Sequence, residues 1–335
     1  GISDLARLAA TLNGDAKLEA SLSGPANAVN LRASGSANVA TRGFAQQPVG
    51  FSMSANGLPD PSSAQIRIGG HLDNSPVSVD GNLEKSGALR TASLNAKWKS
   101  LNTDADLKLP RNGDLTGHAN ITLGNLADLA AFIGTKLEGS VKAIVNADMR
   151  GGRSVAKIAA AGSGIRSGDT RLDALSLNGT VADPLNTPSL DIAFHANKLA
   201  ASGITGDASG TIKGPLDKLA TAFKAELRDQ GGNPVRADAM AVIDTAKQKI
   251  SLQTFDGQWQ DQTATLTGPA MIDYADGIAV DKLSANVSGG ALTLSGRLMP
   301  KLNADIASRD VPTDSLQKFV PQLASKGTIS GTAPL

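Results

Sequence analysis

Three histidines, His71, His118 and His195, could act as acids, bases or metal ligands, but they stand far apart and share no ligand spacing. Each falls in or beside a segment of alternating character. His195 shares the polar side of its segment with Asp191, so the three read as solvated strand histidines. Asp104 and Asp106 form an Asp-x-Asp pair on the wet side of a segment ending in Leu107 and Leu109. The glycine and the distal glutamate of a calcium loop are missing. Gly162-Ser163-Gly164 starts like a dinucleotide fingerprint, yet no third glycine follows at the right place and no helix is predicted after it. There is no Gly-x-Ser-x-Gly elbow, phosphate loop or His-Glu-x-x-His. The chain has no cysteine, which excludes disulfides, thiolate metal sites and cysteine nucleophiles. The expectation is a protein without catalytic residues, metal or cofactor; a site assembled only by tertiary proximity stays open at this level.

The segments that would have to position such residues share one pattern. Leu190-Asp191-Ile192-Ala193-Phe194-His195, Leu94-Asn95-Ala96-Lys97-Trp98-Lys99 and Ala291-Leu292-Thr293-Leu294-Ser295 alternate apolar and polar residues. Period two puts every second side chain on the same side of a strand. Similar segments recur along the chain at a spacing of roughly 8–12 residues with turn residues between them, which is the all-β signature. They cluster around residues 18–22, 29–33, 51–55, 66–68, 77–83, 94–98, 105–109, 119–123 and 141–149. Further on they fall at 172–177, 190–194, 223–227, 239–243, 250–255, 264–266, 283–287, 291–298 and 302–306. Long helical connections are absent, so an antiparallel meander with short turns is expected over a parallel βαβ sheet. Gly24-Pro25, Gly214-Pro215 and Gly268-Pro269 are expected to close strands, and Gly179 with Asp183-Pro184 does something similar.

Composition narrows the class. The formal net charge is +1 and no Lys/Arg run alternates with aromatics, which argues against nucleic acid as a partner. Aromatics make up only 3% of the residues beside 36 glycines, which points to a thin or partly open core; an ordinary sandwich is the alternative. No run of about 18 apolar residues could span a membrane as a helix. The chain starts at Gly1 and stops in mid-pattern at Gly331-Thr332-Ala333-Pro334-Leu335, so it reads as a piece of something longer.

A larger unit recurs loosely. Asp4-Leu5-Ala6-Arg7-Leu8, Asp128-Leu129-Ala130-Ala131-Phe132 and Ser315-Leu316-Gln317-Lys318-Phe319 each read as one or two turns of amphipathic helix, followed by glycine and a new strand run. Length alone suggests about two domains. Unequal repeats starting near 4, 128 and 315 instead suggest one continuous repetitive segment over 1–335, built by neighbour-to-neighbour stacking.

The helix-to-glycine-to-strand module from Asp128 through Leu137-Glu138-Gly139-Ser140-Val141 resembles the repeat of TamB proteins, within the wider AsmA-like group of bridge-like lipid-transfer proteins. The stretches Leu252-Gln253-Thr254-Phe255-Asp256-Gly257-Gln258-Trp259 and Leu266-Thr267-Gly268-Pro269-Ala270 are similar to it as well. So is Lys326-Gly327-Thr328-Ile329-Ser330-Gly331-Thr332-Ala333. The resemblance covers essentially the whole chain through a degenerate, cumulative pattern. It implies a periplasmic part of an inner-membrane-anchored protein of Gram-negative bacteria, with a long, curled antiparallel sheet forming a taco-like hydrophobic trough. It also implies phospholipids as cargo and a TamA-like outer-membrane barrel as partner. The family's anchor helix and C-terminal domain are not found in this chain.

The apolar members of the alternating segments are the candidate trough lining. In the first half they are Ile66, Ile68, Val77, Val79, Leu107, Leu109, Ile121, Leu123, Val141 and Val145. In the second half they are Leu175, Leu177, Leu190, Ile192, Phe194, Ile250, Leu252, Leu283, Val287, Leu292, Leu294 and Ile306. For each, ordinary packing against a second layer is the competing reading. The amphipathic turns would plug, rim or simply cap the sheet. Three functions follow in order: a lipid-conducting segment, a scaffold or chaperone assembling outer-membrane β-barrel proteins such as autotransporters, and a structural β-rod. An enzyme comes last.

Overall fold

A computed structural model describes residues 13–40, 47–110, 115–130, 136–313 and 327–334. The fold is all-β and antiparallel, with 22 strands among the described residues. By contacts the chain divides into two compact units, Gly1–Asp169 with Ala182–Leu185, and Thr170–Val181 with Asn186–Leu335.

In the first unit lie β1 (Asn13–Ser23), β2 (Val29–Ala40), β3 (Gln47–Leu58), β4 (Ser63–Leu72), β5 (Ser75–Ser86), β6 (Leu89–Trp98), β7 (Leu101–Pro110), β8 (Thr116–Leu123), β9 (Glu138–Arg150) and β10 (Arg153–Ser167). Each pairs antiparallel with the next, an unbroken meander. The second unit holds β11 (Thr170–Ala182, all but its last residue), β12 (Ser189–Ala201), β13 (Ile204–Pro215), β14 (Leu219–Arg228), β15 (Pro234–Asp244) and β16 (Lys249–Trp259). It continues with β17 (Gln262–Leu266), β18 (Ala270–Asp273), β19 (Ile278–Val287), β20 (Gly290–Met299), β21 (Asn303–Pro312) and β22 (Thr328–Pro334). β12 to β16 form a meander. β17 and β18 are two halves of one interrupted strand between β16 and β19, and the meander resumes through β22.

The turns explain why consecutive strands pair. Asp73-Asn74, Gly151-Gly152, Ser202-Gly203 and Ser288-Gly289 are two-residue turns in which both residues have positive φ. That geometry matches the right-handed twist of the flanking strands. Pro25 and Pro215 accept 2.9 Å bonds from the amides of Ala28 and Lys218, closing the same turn in both units. Gly268-Pro269 interrupts a strand instead of ending one, because proline cannot donate to the ladder between β17 and β18. Gly179 lies inside β11, where a Cβ would come within 2.2 Å of the Asp191 carbonyl of β12.

Every alternating segment falls on a strand, but the strands run longer, and β10, β13 and β18 extend where no segment was marked. β10 and β13 carry Gly162-Ser163-Gly164 and Gly206-Asp207, residues that read locally as loop but are held by ladders to both neighbours or to β9. Around residue 128 the expected amphipathic turn begins earlier, as a 3-10 turn over Leu126–Leu129. Asn125 caps it, accepting from the Ala127 amide at 3.0 Å. Asp128, the first residue of the expected turn, lies inside the observed one and accepts from the Ser100 amide at 3.0 Å and from its hydroxyl. The turns around Leu5 and Leu8 and around Leu316 and Phe319, and Phe132 itself, lie outside the described residues.

The core is thin. Among the described residues ten of the 17 buried apolar residues are alanines, so burial comes from neighbours on the same face leaning over small side chains. The Phe51 ring lies over Gly35 and the Phe194 ring over Gly210, where added Cβ atoms would meet them at 2.8 and 2.6 Å. Large side chains thus lie down on their own sheet. Within each unit the substantial contacts join ladder neighbours, apart from the 3-10 turn resting on β9. Within each unit, among the described residues, no second layer covers the sheet.

Candidate functional site: the apolar floor

Cross-strand registers assign each side chain to a face. In the first unit one transverse row runs Ala20, Ala33, Met53, Ile66, Gly81, then Leu94, Ala105, Ala119, Val145 and Ile158, one residue from each of ten strands. No member is polar. At about 4.8 Å per strand the row is ~43 Å long. The adjoining row from Leu18 through Phe51, Ile68, Val79 and Ile121 to Ala160 is apolar except for Thr103. All ten lining candidates of this unit fall on this face: Ile66, Ile68, Val77, Val79, Leu107, Leu109, Ile121, Leu123, Val141 and Val145. Met53, Ile66 and Leu94 are each nearly two-fifths exposed, so the middle of the floor is open. Its rim at the end of β5 and β6 is charged. Asp60 accepts from Lys85 and Arg90, and these two bonds hold its carboxyl below the usual carboxylate range.

The other face of this unit is wet. The row beside the apolar one reads Ser21, Arg32, Ser54, Gln65, Asn82, then Ser93, Asp106, His118, Asn146 and Lys157. His118 sits 3.5 Å from Asp106, and His71 belongs to this face opposite Pro76. Asp104 accepts from the Asn120 amide at 2.8 Å. Gly162 and Ser163 are strand residues of β10, and the Ser163 and Ser140 hydroxyls are 2.9 Å apart. Among the described residues no three His, Asp or Glu side chains are grouped closely enough to hold a metal ion.

The second unit builds its floor differently. A lane of small residues runs Ala196, Ala208, Ala225, Ala237, Gly257 and Ala264, reaching Val287 and Gly290. One side of the lane is walled by Phe194, Phe223 and Phe255, the other by Leu227, Val235 and Trp259. Leu172 and Leu175 pack against its buried start. A recess of about 220 Å³ opens on the lane, lined by Val235, Ala237, Phe255, Gly257, Trp259 and Val287 among others. A Cβ on Gly257 would stand 3.1 Å from the Phe255 ring, so glycine keeps the recess open. Trp259 is oriented by its indole N–H, which donates to Asp229 at 2.8 Å. That bond, with those from Asn233 and the Gly231 amide, holds the Asp229 carboxyl well below the usual carboxylate range.

Of the candidates in this unit, Leu190, Ile192, Phe194, Ile250, Leu252, Leu283, Val287, Leu292, Leu294 and Ile306 share the lane's face. Leu177 follows Leu175 on the same alternation of β11. His195 lies on the opposite, polar face, where Asp191 pairs with Lys213 at 3.0 Å. The reading by alternation passed over Phe255, Trp259 and the Ala/Gly lane. Between Leu252 and Phe255 a bulge reverses the parity, pairing Met240 with Thr254 but Ala241 with Leu252. The same device separates Val280 from Leu283 and Ala196 from Leu199, so apolar residues three apart face the same way.

The chain matches no protein-family model, no curated protein and no solved structure.

Proposed function

We propose that the apolar floor of each unit shelters lipid acyl chains, and that the chain is a periplasmic, lipid-conducting segment of a TamB-like protein. The observation that carries this reading is the ten-residue row from Ala20 to Ile158, apolar throughout and uncovered among the described residues. A folded protein seldom leaves so large an apolar patch to water unless something else occupies it. Shielding a methylene from water is worth about 0.8 kcal/mol, so about 15 methylenes lying along such a floor gain roughly 12 kcal/mol. That is the scale of the penalty a lipid tail meets outside a bilayer. Headgroups would stay in solvent beyond rims such as Asp60–Lys85–Arg90. No chemical step is required. The lane beside Phe255 and Trp259 suits a flexible chain, because small residues leave room for it and aromatic walls supply contact area.

The reading is tested in the intact parent protein with a photo-crosslinking residue at Ile66, Ile192 or Leu294, and at the polar-face positions Asp80 and Lys213 as controls. Capture of phospholipid from the floor positions alone supports it. Capture of polypeptide from the floor would favour the scaffold for outer-membrane proteins, with a TamA-like barrel as partner. No capture at any floor position would leave the structural rod.

A further inference from the structure

The two floors differ in relief. In the first unit large side chains such as Met53, Ile66, Leu94 and Val145 interrupt the small members of the apolar row. In the second unit the lane from Ala196 to Ala264 holds nothing larger than alanine. Its walls lie two residues to either side along each strand, so their Cα rows stand about 14 Å apart. Phe223 and Phe255 occupy one wall, and Leu227, Val235 and Trp259 the other.

The lane has a stopped end and an open stretch. Ala196, Ala208 and Ala225 are buried, with Leu172, Leu175 and Leu227 packed against them. From Ala237 onward the small residues are half-buried. The recess of about 220 Å³ lies on that stretch, between Phe255 and Trp259 and over Ala237, Gly257, Ala264 and Val287. It crosses β15, β16, β17 and β19, about 14 Å. Its polar groups on this face are already engaged. The Trp259 indole N–H donates to Asp229, and the Gln262 Oε1 accepts from the Ser288 hydroxyl at 2.7 Å. Arg236, Gln258 and Thr263 belong to the opposite face. The recess therefore presents hydrocarbon.

Three properties decide between guests. The lane runs across the strands, so a guest lying in it meets side chains and no unpaired strand edge. A polypeptide there would press its backbone N–H and C=O groups against apolar walls and leave their hydrogen bonds unmade. A helix, about 10–12 Å across, is too wide for a span of about 14 Å that phenylalanine and tryptophan side chains narrow from both sides. An unbranched hydrocarbon chain has no polar group to satisfy and is one methylene thick.

Resting on the lipid reading above, we propose that the open stretch is a slot for a single unbranched acyl chain, one per protein. Gly257, Ala237 and Ala264 set the width that admits it, and the packing of Leu172, Leu175 and Leu227 closes its far end.

The test uses Trp259 of the whole chain as the reporter. Stearate brominated at mid-chain quenches a tryptophan that it touches. Its titration should quench emission saturably at one chain per protein, and the quenched part should vanish in Trp259→Phe. Plain stearate should compete, and cholesteryl hemisuccinate, whose fused rings are wider than one chain, should not. Gly257→Leu and Ala264→Leu fill the lane from two strands, and each should weaken binding about tenfold. The effect is read on whichever keeps the parent's melting curve; if neither does, the competition decides. Thr265→Leu, on the opposite face of β17, should leave binding unchanged. Absence of quenching, equal competition by the sterol, or full affinity in a folded filled variant overturns the proposal. Crosslinking at Ile66 in the intact parent protein separates this failure from that of the lipid reading. If Ile66 still captures phospholipid only the slot is lost, and if no floor position captures it both are.

Discussion

The two units place the same kind of face on the same kind of ladder by different means. From β3 to β9 the first unit keeps one register per strand pair, and its floor follows from strict alternation. The second unit shifts register five times within four of its pairings, at Ala196/Leu199, Met240/Ala241, Ile278/Ala279, Val280/Leu283 and Ser308/Val311. It still keeps its apolar residues on one side, because four of the five shifts skip polar residues that are then turned out: Asn197 and Lys198, Gln253, Asp281 and Lys282, Arg309 and Asp310. The lesson is that the conserved quantity along the sheet is the identity of the face, and the number of residues spent to reach it varies. The units also differ in their tryptophans. Trp98 is 4% exposed and donates to the neutral Leu72 carbonyl at 2.9 Å, whereas Trp259 is half-buried and donates to a carboxylate.

The sharpest way to break this comparison is at the tryptophans. Trp98→Ala should cost about 3–5 kcal/mol, the range for emptying a buried aromatic site, read as a lower urea midpoint of the first unit. Trp259→Ala, at a more open site, should cost distinctly less; equal losses would contradict the contrast. Glycines give the next largest effect. A Cβ on Gly290 would sit 2.4 Å from the Val311 Cα and 2.5 Å from the Asp310 carbonyl, so Gly290→Ala should destabilise by about 1–3 kcal/mol. Gly69 on the first unit's polar face has open space, and Gly69→Ala should fall within about 0.5 kcal/mol of the parent.

Bulges offer a smaller effect of opposite sign. Lys198 is held at φ 52° in the bulge of β12, with its amide donating to Asp207 at 2.8 Å. Lys198→Gly should relieve that backbone and stabilise by up to about 1 kcal/mol in the same denaturation assay. A loss of stability there would mean that the positive φ at residue 198 carries no strain for glycine to relieve. The last effect is confined to acid. Asp229 has a depressed carboxyl, so its contribution is complete above the unfolded carboxylate value of about 4 and disappears as pH falls toward its lower folded value. The urea midpoint of the second unit should therefore fall on acidification below about pH 4, and Asp229→Asn should remove that part of the fall.

Much of the wall of the site was legible and much of its bottom was not. Ile66, Val79, Ile121 and Val145 stand out as branched apolar residues in strict alternation, and they share a face. Ala225, Ala237 and Gly257 form the lane between larger residues, yet alanine and glycine carry no distinctive periodic signal in a chain with 36 glycines. Phe255 was obscured by the extra residue Gln253. The role of Asp128 in holding Ser100 was not legible, because the two are 28 residues apart in sequence.

The residue order alone determined that the protein is antiparallel β with one apolar and one polar face, because alternation and positive-φ turn residues act through sterics within a few residues. Tertiary structure decided which residues share a row, where bulges restore the face, and that the described floor is left open. Those depend on hydrogen bonds and contacts between strands, and no local pattern encodes whether a second layer will arrive to cover a sheet.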